Sequence, residues 1–423
     1  MQATSRREFL SLLAAAAALP TAGHARGGAP PPSHGTNRPC RIRAITAGVP
    51  LTGTGELHAV ESALGVLARA KRRFESEGYE VQTIRIATSP FLAALSPTAR
   101  DDALDVVHAL DTLAESHGAM LSVGPVLLAD RQDESLAAWS AELVRSTKRT
   151  SFSVAVATPG SGVLGQAAAT AARVMIALAG AMPAGLANFR FAAAANVPAG
   201  TPFFPVAWHE GPDTLALGLE SAGLVQQAVE PASDIGSASA LISRQLDDAL
   251  LPVERVATAF AEEEGRSYLG IDPSPAPGQD RSIGAAIEAL THLPFGSSST
   301  LEACAAITSA LRALSARTCG YAGLMLPVPE DPVLARRAGE GRFSLRDLLL
   351  YSSVCGTGLD LVPIPADTAP EVITRIIRDV AALAARWQKA LSARLLLVPG
   401  KQPGELATFD DPLLTPCTVL PVS

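Results

Sequence analysis

The strongest constraint on the fold is the regular alternation of strand-like and helix-like segments along residues 40–423. Short apolar runs alternate with longer stretches in which apolar residues recur every three or four positions. Strands are predicted at 41–49, 81–87, 121–123, 151–157, 189–194, 268–271, 323–326, 359–364 and 394–398. Repeated strand–helix units predict a parallel sheet with helices outside it. A continuous series of about ten strands favours a closed α/β barrel over an open sheet.

Helices are predicted between these strands, and nothing in the composition divides residues 40–423 into separate domains. The main helical stretches are 237–261, 282–290, 299–316, 344–355 and 370–391. Ser299 with Glu302, and Ser344 with Asp347, have the spacing of capping boxes. The sequence therefore predicts a single large α/β domain.

Composition and charge exclude several classes of protein. The chain is 48% hydrophobic but only 4% aromatic, so its core depends on Ala, Leu, Val and Ile. Every internal apolar run of spanning length contains a charge or a proline, which argues against a transmembrane helix. The most apolar stretch, 167–195, predicts a buried helix followed by a strand. The net charge of −7 and the absence of a long basic run argue against nucleic-acid binding.

The N-terminus has the features of an export signal. Arg6 and Arg7 precede an apolar stretch at 12–19, and small residues at 23–25 suit a cleavage site. Residues 1–25 are therefore predicted to be a bacterial twin-arginine signal, with an ordinary secretory signal as the alternative. Residues 26–39 are predicted to be a disordered Gly/Pro-rich linker. The expected product is a soluble periplasmic or secreted protein that engages the twin-arginine export machinery and is not membrane-embedded after cleavage.

The segment that follows the predicted strand at 268–271 is the best candidate for chemistry. That strand ends at Asp272, and a proline-rich turn containing Ser274 comes next. Loops at the carboxyl ends of parallel strands converge on functional sites, so Asp272 could act as an acid or base. It could equally hydrogen-bond the backbone of its own turn. Ser274 is a candidate substrate contact.

Several ordered blocks resemble a known family. The blocks are RIRAITAG at 41–48, QTIRIATSP at 82–90, AWHE at 207–210, LGIDPSPAP at 269–277, GLMLPVPED at 323–331, CGTGLD at 355–360 and IPADT at 364–368. With these blocks the chain resembles the uncharacterised protein family 0210, also called domain of unknown function 711, almost from the linker to the C-terminus. The resemblance implies a ten-stranded α/β barrel similar to that of pyruvate formate-lyase and other glycyl-radical enzymes. It does not imply their reaction.

Other side chains in these blocks could bind a ligand or take part in chemistry. His209 could be a base, a metal ligand or a structural residue, and Cys355 could be a nucleophile or a buried thiol. Arg85 lies within a strand, and if its side chain points inward it must be paired, which favours an anionic ligand. Ser89 and Asn196, each near the end of a predicted strand, are candidate polar contacts.

Two further groups have a structural and a functional interpretation. Glycine and hydroxyl residues at the start of the helix at 299–316 suit a phosphate or carboxylate ligand, as well as helix capping; they include Ser297, Ser298 and Thr300. Glu262 lies in a run of three glutamates that could hold a divalent metal together with Asp272 and His209, or could be a solvated helix end.

These residues predict an enzyme that acts on a small polar or anionic metabolite. Their oxygen and nitrogen donors favour metal-assisted hydrolysis over nucleophilic chemistry at Cys355. The alternative is a non-catalytic periplasmic binding protein for a small molecule. The sequence RTCGY at 317–321 has only a short likeness to a radical loop, and an exported protein meets oxygen, so a glycyl radical is disfavoured. Oligomeric state is left open, with a homo-oligomer among the options.

Overall fold

The computed structural model describes residues 38–422, apart from Thr52, residues 54–55 and Ser233. The predicted export signal and nearly all of the predicted linker lie outside the described residues. Residues Arg38–Ser423 form one compact unit. None of the helices in the described part of the chain is long and apolar enough to cross a membrane.

Ten strands of the described chain form one sheet. They are β1 (Arg41–Val49), β2 (Val81–Thr88), β3 (Ala119–Pro125), β4 (Thr150–Thr158), β5 (Gly162–Val163), β6 (Phe191–Ala195), β7 (Thr214–Glu220), β8 (Ser267–Asp272), β9 (Gly358–Pro365) and β10 (Leu391–Val398). Their order is β8-β7-β1-β2-β3-β4-β6-β10-β9, and β5 pairs with β4. A separate two-stranded sheet is formed by β11 (Leu406–Ala407) and β12 (Cys417–Thr418).

The sheet is mostly parallel but contains two groups of strands that run in opposite directions. Strands β1 to β4 and β6 are parallel to one another, whereas β7 joins β1 and β10 joins β6 in antiparallel pairs. The predicted parallel sheet is therefore confirmed for most of its strand pairs, but not at these two antiparallel junctions. The sequence pattern also missed β7, which the chain reaches through the long segment 196–213.

The sheet is not closed, so the closed barrel predicted from the sequence is not confirmed. Strands β8 and β9 are its two edges, and a non-regular segment, 317–328, is hydrogen-bonded to β8 and to the residue that precedes β9. Ile271 N donates to Arg317 O at 2.8 Å on one side, and Thr357 Oγ1 donates to Leu324 O at 3.1 Å on the other. The predicted strand at 323–326 belongs to this segment and is not a strand. Close packing of Gly323 against Gly356 holds the segment against the end of the sheet instead.

Twelve α-helices of the described chain cover the sheet. They are α1 (Leu57–Ser76), α2 (Pro97–Asp102), α3 (Leu104–Ser116), α4 (Leu136–Ser146), α5 (Gly165–Ala179), α6 (Ala222–Val229), α7 (Ile235–Glu263), α8 (Ile283–Thr291), α9 (Thr300–Arg312), α10 (Pro332–Gly339), α11 (Leu345–Tyr351) and α12 (Pro370–Trp387). The capping box of Ser344 and Asp347 is confirmed. The one predicted at Ser299 is wrong, because Ser299 has a φ of 73° and its side chain caps nothing.

The segment 197–213 crosses one face of the sheet. Thr46 Oγ1 on β1 donates to Pro202 O at 3.1 Å, and Ser122 Oγ on β3 donates to Ala207 O at 2.7 Å. The backbone N–H of His209 donates to Thr88 O at the carboxyl end of β2. These contacts cover the carboxyl ends of the central strands and leave space beside their amino ends.

Candidate functional site

A cavity of about 590 Å³ lies beside the amino ends of the central strands. Residues on seven strands line it, namely β1, β2, β3, β4, β7, β9 and β10. The sheet therefore curves around this space. Phe203 and Phe204 from the crossing segment, together with Tyr321 and Met325 from segment 317–328, also line it.

The charged side chains that line the cavity are mainly cationic. The cations are Arg41, Arg43, Arg85, Lys148, Arg149, Arg190 and Arg394, and the anions are Glu220, Asp280, Glu330 and Asp360. Seven cations thus face four carboxylates, although the chain as a whole has a net charge of −7. Concentration of one sign of charge in a concave site attracts ligands of the opposite sign.

Two inner arginines are neutralised by carboxylates of the cavity itself. Arg394 Nη1 lies 2.6 Å from Asp360 Oδ1 and 3.8 Å from Glu330 Oε1. Arg43 Nη2 lies 3.4 Å from Glu330 Oε2, and its Nη1 lies 3.6 Å from Glu220 Oε2. Burial raises the pKa of Glu330, and the two arginines oppose that effect. These residues form a connected inner network on β1, β7, β9 and β10, together with Glu330, which follows segment 317–328.

Arg85 on β2 differs from these arginines because no described carboxylate forms an ion pair with it. Its side chain lines the cavity, and the residue is only 7% exposed. Its Nε donates to Thr83 Oγ1 at 3.0 Å, and its guanidinium lies 5.0 Å from the centre of the Phe204 ring. Burial, and then the nearby charge of Arg43, lower its pKa to about 9; the Glu330 carboxylate opposes this shift, and Arg394 adds to it. The side chain of Arg85 points into the cavity, as the hypothesis of an anionic ligand requires.

Asp272 does not line the cavity but anchors the turn at 320–322. Its carboxylate accepts hydrogen bonds from Ser274 Oγ at 2.6 Å and from the backbone N–H groups of Ser274, Tyr321 and Ala322. Burial raises its pKa to about 6. A Cβ on Gly320, whose φ is +70°, would overlap this carboxylate. Asp272 therefore binds the backbone of its own turn, as one of the two interpretations of the sequence predicts. It also binds the backbone of a second turn, at 320–322.

The position of Tyr321 follows from this anchoring. Its side chain lines the cavity, and its hydroxyl donates to Ser392 Oγ at 2.9 Å. Ser274, predicted as a substrate contact, instead accepts a hydrogen bond from Gly323 N at 3.1 Å as well as donating to Asp272. Asp272 and Ser274 therefore support the cavity wall from behind.

The three residues predicted to share a metal lie apart. His209 is 1% exposed, its Nε2 is 2.9 Å from Gly211 O, and burial lowers its pKa. Its ring contacts Thr214 on β7. Asp272 pairs with Gly218 on the same strand, and Gly218 is four residues, or about 13 Å, from Thr214. Glu262 is exposed at the end of α7. Across the described residues, no three His, Cys, Asp or Glu side chains are grouped so that they could hold a metal ion.

The other predicted contacts also lie outside the cavity lining. Ser89 Oγ exchanges two hydrogen bonds with the backbone of Leu51, and Asn196 Nδ2 donates to Ala384 O at 2.9 Å. Both side chains lie just after the carboxyl ends of their strands, whereas the cavity lies beside the amino ends of the central strands. There they stabilise connections between segments of the chain.

Of the residues predicted to bind an anion at α9, Thr300 stabilises the loop that precedes the helix, and none of the three lines the cavity. Thr300 Oγ1 accepts a hydrogen bond from Gly296 N at 3.1 Å, and Ser297 and Ser298 precede it in the same loop. Cys355 is fully buried, and burial raises the pKa of its thiol. Its environment is that of a buried thiol, which is one of the two interpretations of Cys355 from the sequence.

The charged residues of the inner network were not among the residues predicted from the sequence. Glu330 and Asp360 lie within family blocks at 323–331 and 355–360, and Arg43 lies in the block at 41–48. The available signal was a charged residue inside a strand that is otherwise apolar, as in LSARLLLV around Arg394. A buried arginine needs a partner, so such strands indicate a polar interior.

The comparisons with known proteins give a family. The model of the family described as "Uncharacterised ACR (DUF711)" matches residues 36–410. A UPF0210 protein of Pyrobaculum arsenaticum is 32% identical over 365 residues, covering 82% of this chain and 80% of the relative. UPF0210 proteins of Syntrophobacter fumaroxidans and Desulforudis audaxviator are each 29% identical, covering 82% and 87% of this chain and 80% and 88% of the relatives.

The chain belongs to this family, as its sequence blocks predicted. Because archaeal relatives are among the matches, membership does not by itself indicate a bacterial protein.

Proposed function

We propose that this protein binds a small organic anion in the central cavity and that Arg85 is the residue that anchors it. The observation that carries the proposal is a buried guanidinium that faces the cavity without a carboxylate partner. The carboxylates of Glu330 and Asp360 cannot fully neutralise Arg85, because they already pair with Arg43 and Arg394.

Physical chemistry supports an anion at this position. A buried charge is costly unless it is paired and hydrogen-bonded, so an anion beside Arg85 offsets the cost of burying the guanidinium. The planar guanidinium can also hold a carboxylate through two parallel hydrogen bonds. The cavity volume of about 590 Å³ is within the range of sites for small molecules.

Titration calorimetry with a panel of acetate, succinate, benzoate and inorganic phosphate tests the proposal. We expect at least one of these anions to bind the wild type and to lose on the order of tenfold or more in affinity in Arg85→Gln. The exposed Arg375→Gln on α12 is the matched control and should bind normally. The proposal fails if the wild type binds none of the anions, or if both variants bind equally well.

We propose further that Glu330 acts as a general acid or base on the bound anion, which makes the protein an enzyme. Glu330 lines the same cavity as Arg85, and its carboxyl is held between Arg43 and Arg394. Burial raises its pKa, which favours proton exchange nearer to neutral pH. This role replaces the one predicted for Asp272 and His209, whose carboxylate and ring are occupied elsewhere. The donor residues do not fit the metal site expected for metal-assisted hydrolysis, so this proposal includes no metal.

Glu330→Gln separates catalysis from binding. The variant keeps the shape of the side chain and removes a negative charge near the anion, so we expect affinity to be unchanged or higher. Any conversion of the ligand, followed by proton NMR over hours, should be abolished. If the wild type converts none of the anions that it binds, the enzyme proposal fails and the non-catalytic binding protein stands.

We also propose that the sheet corresponds to the ten-stranded barrel of the pyruvate formate-lyase type. Support comes from the two oppositely directed groups of strands, the curvature around one cavity, and segment 317–328, which is hydrogen-bonded to edge strand β8 and to Thr357, the residue before edge strand β9. A crystal structure of the protein tests this proposal, because it can be superimposed on such a barrel strand by strand.

A further inference from the structure

The cavity lining contains an apolar and unusually aromatic part that adjoins the charged side chains, because Phe204 lies against Arg85 and Phe189 against Arg394. Four of the 29 lining residues are Phe or Tyr, whereas aromatic residues make up only 4% of the chain. Phe203, Ala276 and Met325 form one buried cluster, against which Tyr321 packs. Phe204 lies beside this cluster in sequence and beneath the guanidinium of Arg85. The anion site is therefore continuous with an apolar surface.

The polar side chains of the lining are already hydrogen-bonded within the protein. Each lining hydroxyl donates to a protein oxygen, as shown by Thr83 to Arg43 O, Ser151 to Leu121 O, Tyr321 to Ser392 Oγ, Thr357 to Leu324 O, and Ser392 to Thr357 O. Gln82 bridges Arg43 and Glu220, and Gln279 contacts Leu413 and Thr415. Few donors of the neutral lining side chains therefore remain free for the hydroxyls of a sugar or polyol.

The charge distribution supplies the second restriction. Arg41, Arg43 and Arg394 are paired with carboxylates of the cavity, and Lys148 is paired with Glu115. Arg190 has no carboxylate partner, but its N–H groups donate to Val144, Thr147 and Thr150, and Arg149 is exposed. Arg85 is therefore the buried arginine of the described lining whose guanidinium remains open to an anion. A single free guanidinium matches one singly charged group. A phosphate dianion would leave part of its charge without a cation in the inner part of the site.

We propose that the ligand is a monocarboxylate with an apolar, planar body, of the aryl carboxylate class. This inference rests on the proposed anion-binding function and names the chemistry of its ligand. The carboxylate binds the free edge of the Arg85 guanidinium. The body packs against Phe204 and the cluster of Phe203 and Met325, where burial of apolar surface adds affinity.

Matched probes in titration calorimetry separate the two parts of the ligand. Benzoate contains both parts, acetate has the carboxylate alone, and benzyl alcohol has the ring alone. We expect benzoate to bind on the order of tenfold or more tightly than either. Gluconate and inorganic phosphate should bind more weakly than benzoate, because the lining offers few free hydrogen-bonding groups and one unpaired inner charge.

Two variants test the apolar wall. Phe204→Leu should weaken benzoate by several-fold while leaving acetate within about twofold. Met325→Ala repeats the test in the buried cluster that contains Phe203, and unchanged circular dichroism and melting temperature verify that each variant is folded. Arg85→Gln should weaken benzoate and acetate alike, because it removes the anchor that they share.

The outcomes distinguish this inference from the proposed function. If acetate, gluconate or phosphate binds as tightly as benzoate and requires Arg85, the aryl carboxylate class is overturned while anion binding stands. If the wall variants bind benzoate as tightly as the wild type, the class is also overturned. If no probe binds the wild type, the proposed function fails together with the inference.

Discussion

At the scale of single residues, the environment of a carboxylate decides its role more than its position at a strand end. Asp272 and Glu330 are both buried acids, and burial raises the pKa of both. The carboxylate of Asp272 accepts hydrogen bonds from three backbone N–H groups and one hydroxyl. The carboxylate of Glu330 lies between two arginines and faces a cavity. Only Glu330 combines a raised pKa with access to a ligand.

Asp272→Asn is expected to lower the free energy of unfolding by about 1–3 kcal/mol at pH 7.5, because the amide cannot accept all of these hydrogen bonds. Chemical denaturation measures the effect, and Asp379→Asn on the exposed face of α12 is the control. A variant as stable as the control would contradict the anchoring role.

The pH dependence of this destabilisation has a definite sign. The pKa of Asp272 is about 6 in the folded protein, above its ordinary value of 3.8 in the unfolded chain. The folded state therefore binds the proton more tightly, and this contribution to stability is lost as pH rises from about 4 to about 6. We expect the stability gap between wild type and Asp272→Asn to be wider at pH 4 than at pH 7.5. A gap that is constant with pH would contradict the raised pKa.

At the scale of elements, local pattern was sufficient for most of the sheet and failed where tertiary contacts set the structure. The predicted strand at 41–49 coincides with β1, and the long helix predicted at 237–261 is α7 at Ile235–Glu263. Strand β7 was missed, and 323–326 was predicted as a strand. Antiparallel pairing of β7 with β1, and glycine packing at Gly323, are set by distant parts of the chain.

The candidate site was harder to predict than the elements, for the same reason. Arg85 was recognisable, because an arginine in an apolar strand needs a partner wherever the strand is placed. Its neighbours Glu330 and Arg394 come from positions hundreds of residues further along the chain, and only the curvature of the sheet brings them to one cavity. Residues near strand ends, such as Ser89 and Asn196, were instead used to stabilise local backbone.

At the scale of the whole molecule, the proposed export pathway is compatible with a binding cavity that forms only in the folded protein. The sequence of residues 1–25 led to our expectation of twin-arginine export, and we retain that expectation as a proposal because these residues lie outside the described structure. That pathway carries proteins across the membrane already folded. A cavity assembled from seven strands, with Arg43 and Arg394 paired to carboxylates, could therefore be completed before export.

Conservative replacement of the arginine pair tests export and distinguishes the two kinds of signal. Arg6→Lys together with Arg7→Lys keeps the positive charge, which is what an ordinary secretory signal requires, but removes the guanidinium pair by which twin-arginine signals are recognised. We expect cell fractionation of a Gram-negative host to show wild type in the periplasm and the double variant retained in the cytoplasm. Arg72→Lys with Arg73→Lys, on α1 of the folded domain, should be exported normally. Periplasmic recovery of both double variants would indicate an ordinary secretory signal, and cytoplasmic wild type would contradict export altogether.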